Sequence, residues 1–334
     1  MVPAARFTEL LADIEPSPTT VSRASGGHNG VRNHLRAQAR FKDRYVTSFL
    51  SGSYARDTSI RPHSSENGQE RPDVDIIVVT NHETSDQPEA VLKELCQALE
   101  DGGQGYAVER INKRSVRVET WQAEMDVVPV IKTWNGYMIP DRENDTWKFT
   151  NPPVHTQWSL ERNTAFDGRF KPLVKLFKWW RRVNWSGRRP KGFVLEVLVG
   201  RHAPVDETHY GEAFAQTLAN IHAAYGALAI AGGKPFIADP AVPSNDIISK
   251  VSLAQWTDFV EKVRVYADIA RRAQNASDME EATWQWRRVF GDRFRRTANV
   301  AKASTLASVA AAPAQPGYTF PNAMAAPKTP RGFA

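Results

Sequence analysis

Cysteine is almost missing from this chain of 334 residues, with Cys96 the sole example. A disulfide within one copy is therefore excluded, and so is any Cys-rich zinc site. Cys96 falls in PEAVLKELCQALED, an amphipathic helix pattern, and reads as a small core residue. Long apolar runs are missing too: nowhere do about 18 apolar residues follow one another, as a membrane-spanning helix requires. The opening MVPAARFTELLADI lacks the basic-then-apolar layout of a secretion signal, so a cytoplasmic protein with no membrane partner is expected. Residues 301–334 contain no acid and are dominated by Ala and Pro; with neither helical nor strand period, they read as a disordered tail.

What remains is ordinary in bulk. A content of 41% hydrophobic and 24% charged residues supports a soluble protein with a large core, and the length allows two packed lobes. The net charge of +6 admits a polyanionic partner, although a basic pocket for nucleoside triphosphates accounts for part of it.

The informative stretch is SFLSGSYARDTSIRPHSSENGQERPDVDIIVVT, residues 48–80. It reads as a strand, a Gly-Ser turn opening a short helix, a polar loop, and a second strand headed by two acids. Alternation places Asp73 and Asp75 on one face, and the Ile and Val positions that follow fill a sheet buried on both sides. Like charges this close need a compensating partner, and a divalent metal is the natural one. Gly52-Ser53 lies a strand away, where a helix start offers backbone N–H groups to phosphate oxygens. Asp-x-Asp alone, or Gly-Ser alone, is as well read as a strand end or a loop. The ordered combination with a third acidic strand, Glu124-Met125-Asp126-Val127-Val128, points instead to nucleotidyl transfer.

These residues resemble the polymerase-β-like nucleotidyltransferases. The run RPDVDIIVVTN, the later KWWRRVN with PKGFVLEVLVG, and the closing RGFA are similar, more narrowly, to the bacterial cGAS/DncV-like nucleotidyltransferases (CD-NTases) of CBASS anti-phage systems, specifically their C and D branches. The resemblance covers about residues 5–295 and the last few. It implies an α+β, bilobal fold: a mixed-sheet catalytic lobe over 1–165, an oligoadenylate-synthetase-like helical lobe over 166–300, and the tail.

Along the chain, a first helix near Phe7 to Ile14 precedes Thr20 to Phe41, read as a long helix bracing both lobes, and a strand from Tyr45 to Leu50. Arg61 to Pro72 reads as a mobile cover for the site or as a plain connector. A helix from Pro88 to Asp101 precedes strands Tyr106 to Ile111, Arg114 to Thr120 and Met125 to Ile131. If the last lies beside Asp73 to Thr80, Asp126 joins the other two acids. Lys132 to Glu161 reads as loops. In FKPLVKLFKWWRRV, the cations Lys171, Lys175, Lys178 and Arg182 share one helical face and Leu173, Phe177 and Trp180 pack. That face is a solvated surface or a phosphate contact, and the resemblance favours the second for Lys178 and, after it, Lys175. Further helices are expected over Pro190 to His202, around a core stripe of Phe214, Leu218, Ile221 and Tyr225, over Ser252 to Arg272, and over Ser277 to Phe290. The last is opened by a capping box at Ser277 and closed by Gly291.

The resemblance implies that Asp73 and Asp75 bind two Mg²⁺ ions, with Mn²⁺ as a substitute, and that Asp126 completes the ion activating the attacking hydroxyl. Gly52, Ser53 and Lys178 then hold the phosphates of ATP or another NTP. The product is an adenine-containing cyclic trinucleotide, such as cyclic tri-AMP or the AMP-AMP-GMP ring, read by a downstream effector. Direct DNA activation is not expected, since no Cys-rich zinc insertion is present. Control falls either to a HORMA-domain partner or to E1/E2-like ligation of the terminal Ala334, and the reachable end Arg331-Gly332-Phe333-Ala334 favours ligation. Two rivals stand beside this reading: a linear template-independent polymerase of the poly(A), CCA-adding or oligoadenylate kind, and an inactive nucleotide-binding module.

Overall fold

The Val- and Ile-rich runs become the strands of one seven-stranded mixed sheet. The computed structural model describes residues 2–62, 71–101, 105–187 and 189–296. The tail with Ala334, and most of the loop expected to cover the site, lie outside these residues. Among those described, the chain divides into two compact units. One comprises 16–159 with 240–242; the other comprises residues up to Glu15, then 160–239 and the residues from Pro243 onward.

In the sheet unit, β1 (Tyr45–Ser51) pairs antiparallel with β2 (Asp73–Thr80), and β2 pairs parallel with β5 (Glu124–Lys132). On the other edge of β5 lie β4 (Val116–Glu119) and then β3 (Val108–Ile111). Strands β6 (Tyr137–Asp141) and β7 (Thr146–Thr150) continue from the far end of β5. That hairpin, followed by α5 (Pro152–Ala165), replaces the loops expected over Lys132 to Glu161. In β7, Trp147 and Phe149 alternate with Thr146, Lys148 and Thr150, and β6 opens on the apolar run Tyr137-Met138-Ile139, strand signals masked by the Asn, Pro and Trp around them.

Helices α2 (Pro18–Ala37) and α4 (Pro88–Glu100) pack on one sheet face and on each other, with His34 Nε2 within 2.9 Å of the Ala98 carbonyl oxygen. Ser17 caps α2 by accepting from the Thr20 amide, and Pro18 suits the first helical position because no N–H is needed there. Gly27 of α2 faces the sheet beside Ala123 and Met125. The side chains of Ile77, Val79, Val128 and Val130 form a cluster on the opposite face, with Phe49, Tyr137 and Ile139 packed against it. By alternation, the acids of β2 and β5 belong to that second face, at its open end. Cys96 is half-buried, a border residue of α4 rather than a core one.

The short α3 (Gly52–Ala55) completes this unit; the rest of the helices belong to the other. These are α6 (Phe170–Asn184), α7 (Gly192–His202), α8 (Tyr210–Ile230), α9 (Leu253–Asn275) and α10 (Met279–Phe290). The first helix, α1 (Ala4–Ile14), also belongs here and not to the sheet unit as expected. The reason is Phe7, wholly buried with its ring edge-on to Trp286 at 5.0 Å and to His209 at 5.4 Å. Phe214, Leu218 and Ile221 are buried as the stripe predicted, while Tyr225 is only half so. The cap of α10 is Asp278, one residue past Ser277, with its carboxylate accepting from the Glu281 amide; the capping box instead opens α9, at Ser252 and Gln255. Gly291 ends α10 at φ +73°, a backbone region open to glycine.

Candidate active site

The three acids meet because of strand register. In the parallel β2–β5 ladder, Asp75 is paired with Asp126 and Asp73 with Glu124, so four carboxylates line the start of two central strands. In β1–β2, Ser51 is paired with Asp75, which brings the Gly52-Ser53 turn against the same residue. Gly52 has φ +69°, and a Cβ added there would stand 1.7 Å from Asp75 Oδ2. Only glycine leaves room for the carboxylate at that turn.

The Asp75 carboxyl is pushed up to about 7, first by burial and then by the charges of Asp73 and Asp126, against a smaller opposing pull from Arg56 and Arg117. Asp73 is raised as well, with burial first among the causes and Arg117 opposing it. Its side chain is 65% exposed, however, so water screens much of that effect. The stress is concentrated on Asp75.

Arg117 of β4 is the residue that sequence reasoning missed. Its Nη1 donates to Asp73 Oδ1 at 2.7 Å and to Asp126 Oδ2 at 2.6 Å, and its Nη2 donates to Glu124 Oε2 at 2.5 Å. Burial disfavours its charge, but Asp73 and Asp126 outweigh that and hold the guanidinium protonated. Asp126 Oδ1 accepts from Ser115 Oγ at 2.8 Å and from Asn112 Nδ2 at 3.0 Å. A signal was present: once the β4–β5 hairpin pairs Glu119 with Glu124, counting back two residues puts Arg117 opposite Asp126.

Hard carboxylate oxygens on one face, under-compensated at Asp75, suit a hard divalent cation. Among the described residues, no three His, Cys, Asp or Glu side chains are gathered as a ready ligand set. Arg117 is the cation that stands among these acids.

In the helical unit, Lys175 and Lys178 do not form an exposed face. Both are buried: Lys175 Nζ lies 2.9 Å from Glu15 Oε1, and Lys178 Nζ lies 3.6 Å from Glu196 Oε2, whose side chain is fully buried. The i, i+3 spacing correctly put them side by side, but Leu173, Val174, Phe177 and Trp180 bury nearly the whole girth of α6.

Residues 1–163 match the model of the Second Messenger Oligonucleotide or Dinucleotide Synthetase domain. Over 98% of its length, the chain is 44% identical to a cyclic AMP-AMP-AMP synthase of Acinetobacter, of which the match covers 97%. The chain belongs to the CD-NTases. As a member of this family of CBASS systems it is a nucleotidyltransferase that makes cyclic oligonucleotides, chemistry that generally needs a divalent metal. Solved CD-NTases share its fold. The Bradyrhizobium diazoefficiens CD-NTase CdnG in complex with GTP aligns with TM-score 0.71 at 18% identity, over 90% of this chain and 97% of that one. The Escherichia coli MS115-1 CdnC:HORMA-deltaN complex gives 0.67 at 18%, over 88% and 98%. Among the described residues of this CD-NTase, no helix is long and apolar enough to cross a membrane.

Proposed function

We propose that this enzyme joins ATP into a cyclic trinucleotide, cyclic tri-AMP, at the Asp73, Asp75 and Asp126 carboxylates. The identity to the Acinetobacter cyclic AMP-AMP-AMP synthase supports the product, and the placement of Asp75 beside Asp126 against Gly52 supports the site. Asp73, Asp75 and Asp126 would hold the divalent ions, two Mg²⁺ in this reading with Mn²⁺ as a substitute. Bound there, the ions supply Lewis-acid stabilisation of the charge that builds on the reacting phosphate and acidify the attacking hydroxyl. The backbone of Gly52 and Ser53 orients the phosphates of the donor, and the Ser115 and Asn112 donors keep one oxygen of Asp126 fixed, so that its second oxygen faces the reacting groups. Lys178 is assigned to the donor triphosphate, with Lys175 a weaker candidate; each reaches phosphate by leaving its glutamate.

The test is incubation of the full-length protein with all four NTPs and Mg²⁺, then phosphatase treatment and mass spectrometry. The expected survivor is a cyclic tri-adenylate. A ladder of linear oligonucleotides favours the poly(A)-like reading, and a mixed ring corrects the base choice alone.

Control is assigned to E1/E2-like ligation of Ala334, with a HORMA-domain regulator as the second reading because the CdnC relative was solved with one. A downstream effector would respond to the product. Deleting Lys328 to Ala334 should leave synthesis by the purified enzyme unchanged and abolish conjugate formation in cells. Persistent conjugation, or co-purification with a HORMA protein instead, overturns ligation.

A further inference from the structure

Every acid at the open end of the sheet face except Asp75 accepts a hydrogen bond from one guanidinium. Arg117 occupies Asp73 Oδ1, Asp126 Oδ2 and Glu124 Oε2 at once, with only 12% of its side chain exposed. The other Asp126 oxygen is committed to Ser115 and Asn112. A cation approaching Asp126 therefore meets Arg117 at Oδ2 and the Ser115 and Asn112 donors at Oδ1, and at Asp73 it meets Arg117 at Oδ1. The guanidinium also has somewhere to go. Its Nη2 is anchored to Glu124, and Glu109 Oε2 stands 3.8 Å from its Nε, so a small swing keeps it paired by two acids outside the triad.

We propose that Arg117 is a displaceable counter-ion, which holds Asp73 and Asp126 while no metal is bound and competes with the divalent ion for their oxygens. Glu124 and Glu109 receive it when the metal enters. The inference rests on the reading of the three acids as a metal seat. Its consequence is a threshold: metal binds more weakly than the carboxylates alone would allow, and the acids are not left to repel one another in the meantime. A planar fork suits this work, because it spans three carboxylates that an ammonium would have to choose among.

Mn²⁺ binding to the nucleotide-free full-length protein, followed by electron paramagnetic resonance of the free ion, tests this without turnover. Arg117→Gln should lower the half-saturating Mn²⁺ concentration roughly tenfold, as expected when a unit charge in contact with the seat is removed. Arg110→Gln is the control: Arg110 is the β3 partner of Arg117 in the sheet, and its guanidinium faces Glu109 and Asn112 rather than the triad. It should change binding less than about twofold. Unchanged or weaker binding in Arg117→Gln overturns the proposal, since Arg117 would then build the seat rather than contest it. Equal tightening in both variants overturns it too, as a mere net-charge effect. If Arg117→Gln does not fold, Arg117→Lys serves, with a smaller tightening expected and none contradicting. Absence of Mn²⁺ binding in the wild type and Asp126→Asn alike overturns the metal reading and this inference with it. Binding that Asp126→Asn abolishes and Arg117→Gln leaves unchanged overturns this inference alone.

Discussion

The two units bury charge in opposite ways. In the helical unit each buried cation of α6 has its own glutamate, Lys175 with Glu15 and Lys178 with Glu196. In the sheet unit, carboxylates crowd one end of β2 and β5, Arg117 serves three of them, and Asp75 is left with its carboxyl pushed up to about 7. Matched buried charge is what a fold tolerates; mismatched buried charge persists where something outside the chain completes it. The difference separates a site kept under stress for chemistry from a pairing that also holds the fold.

The largest effect should come from breaking the stressed side. Asp126→Asn removes a charge beside Asp75 and should lower synthesis by about a thousandfold or more, since each ~1.4 kcal/mol of lost transition-state stabilisation is tenfold in rate. Its melting temperature should stay within a few degrees of wild type, measured by circular dichroism. Retained synthesis would remove Asp126 from the site.

The matched side should respond with stability. Lys178→Ala leaves Glu196 buried without that partner, a change that costs about 3–5 kcal/mol for buried pairs. Urea unfolding should show the loss, and Lys178→Ala with Glu196→Leu should recover most of it. Sequence alone, reading α6 as a helix with one exposed face, predicts instead a raised KM with the fold untouched. Full stability in Lys178→Ala would restore that reading and show that the Lys178–Glu196 pair does not hold the fold.

Gly52→Ala should act on both properties more mildly. The added methyl meets Asp75 Oδ2 and the backbone must hold φ +69°, so the turn or the carboxylate has to move. A displacement of about 1 Å at a reacting group costs on the order of a hundredfold in rate, and the strained backbone about 1–3 kcal/mol. A steady-state assay on the folded variant checks the first and urea unfolding the second.

Much of the sheet unit was legible because its signals are local and periodic. The alternation in DVDIIVVT fixed the faces, and the acids at 73, 75 and 126 meet as the motif order implied. Arg117 was not legible as a partner because its role depends on hairpin register, which becomes countable only after the β4–β5 turn is placed. The helical unit was harder. Spacing reports which residues share a face of α6 but not whether a neighbouring helix covers that face, and here Glu15 and Glu196 arrive from 160 residues before Lys175 and 18 residues after Lys178. Likewise α1 seemed attached to the catalytic lobe by proximity in sequence, while Phe7 ties it to the Trp286 and Phe290 core.

The most direct test of the account is the pH dependence of the stability gap between Asp75→Asn and wild type, measured as Tm in EDTA. A carboxyl raised from 3.8 to about 7 binds its proton more tightly in the fold than in the unfolded chain. The fold therefore loses stability as pH rises between those values and carries the whole cost, on the order of a few kcal/mol, above about 7. Asn carries no such charge. Asp75→Asn should make no cyclic product, melt close to wild type near pH 4, and melt several degrees above it at pH 8. A gap that does not change with pH, or a variant less stable than wild type at pH 8, would show that Asp75 is comfortably compensated and that the two units do not differ in the way described.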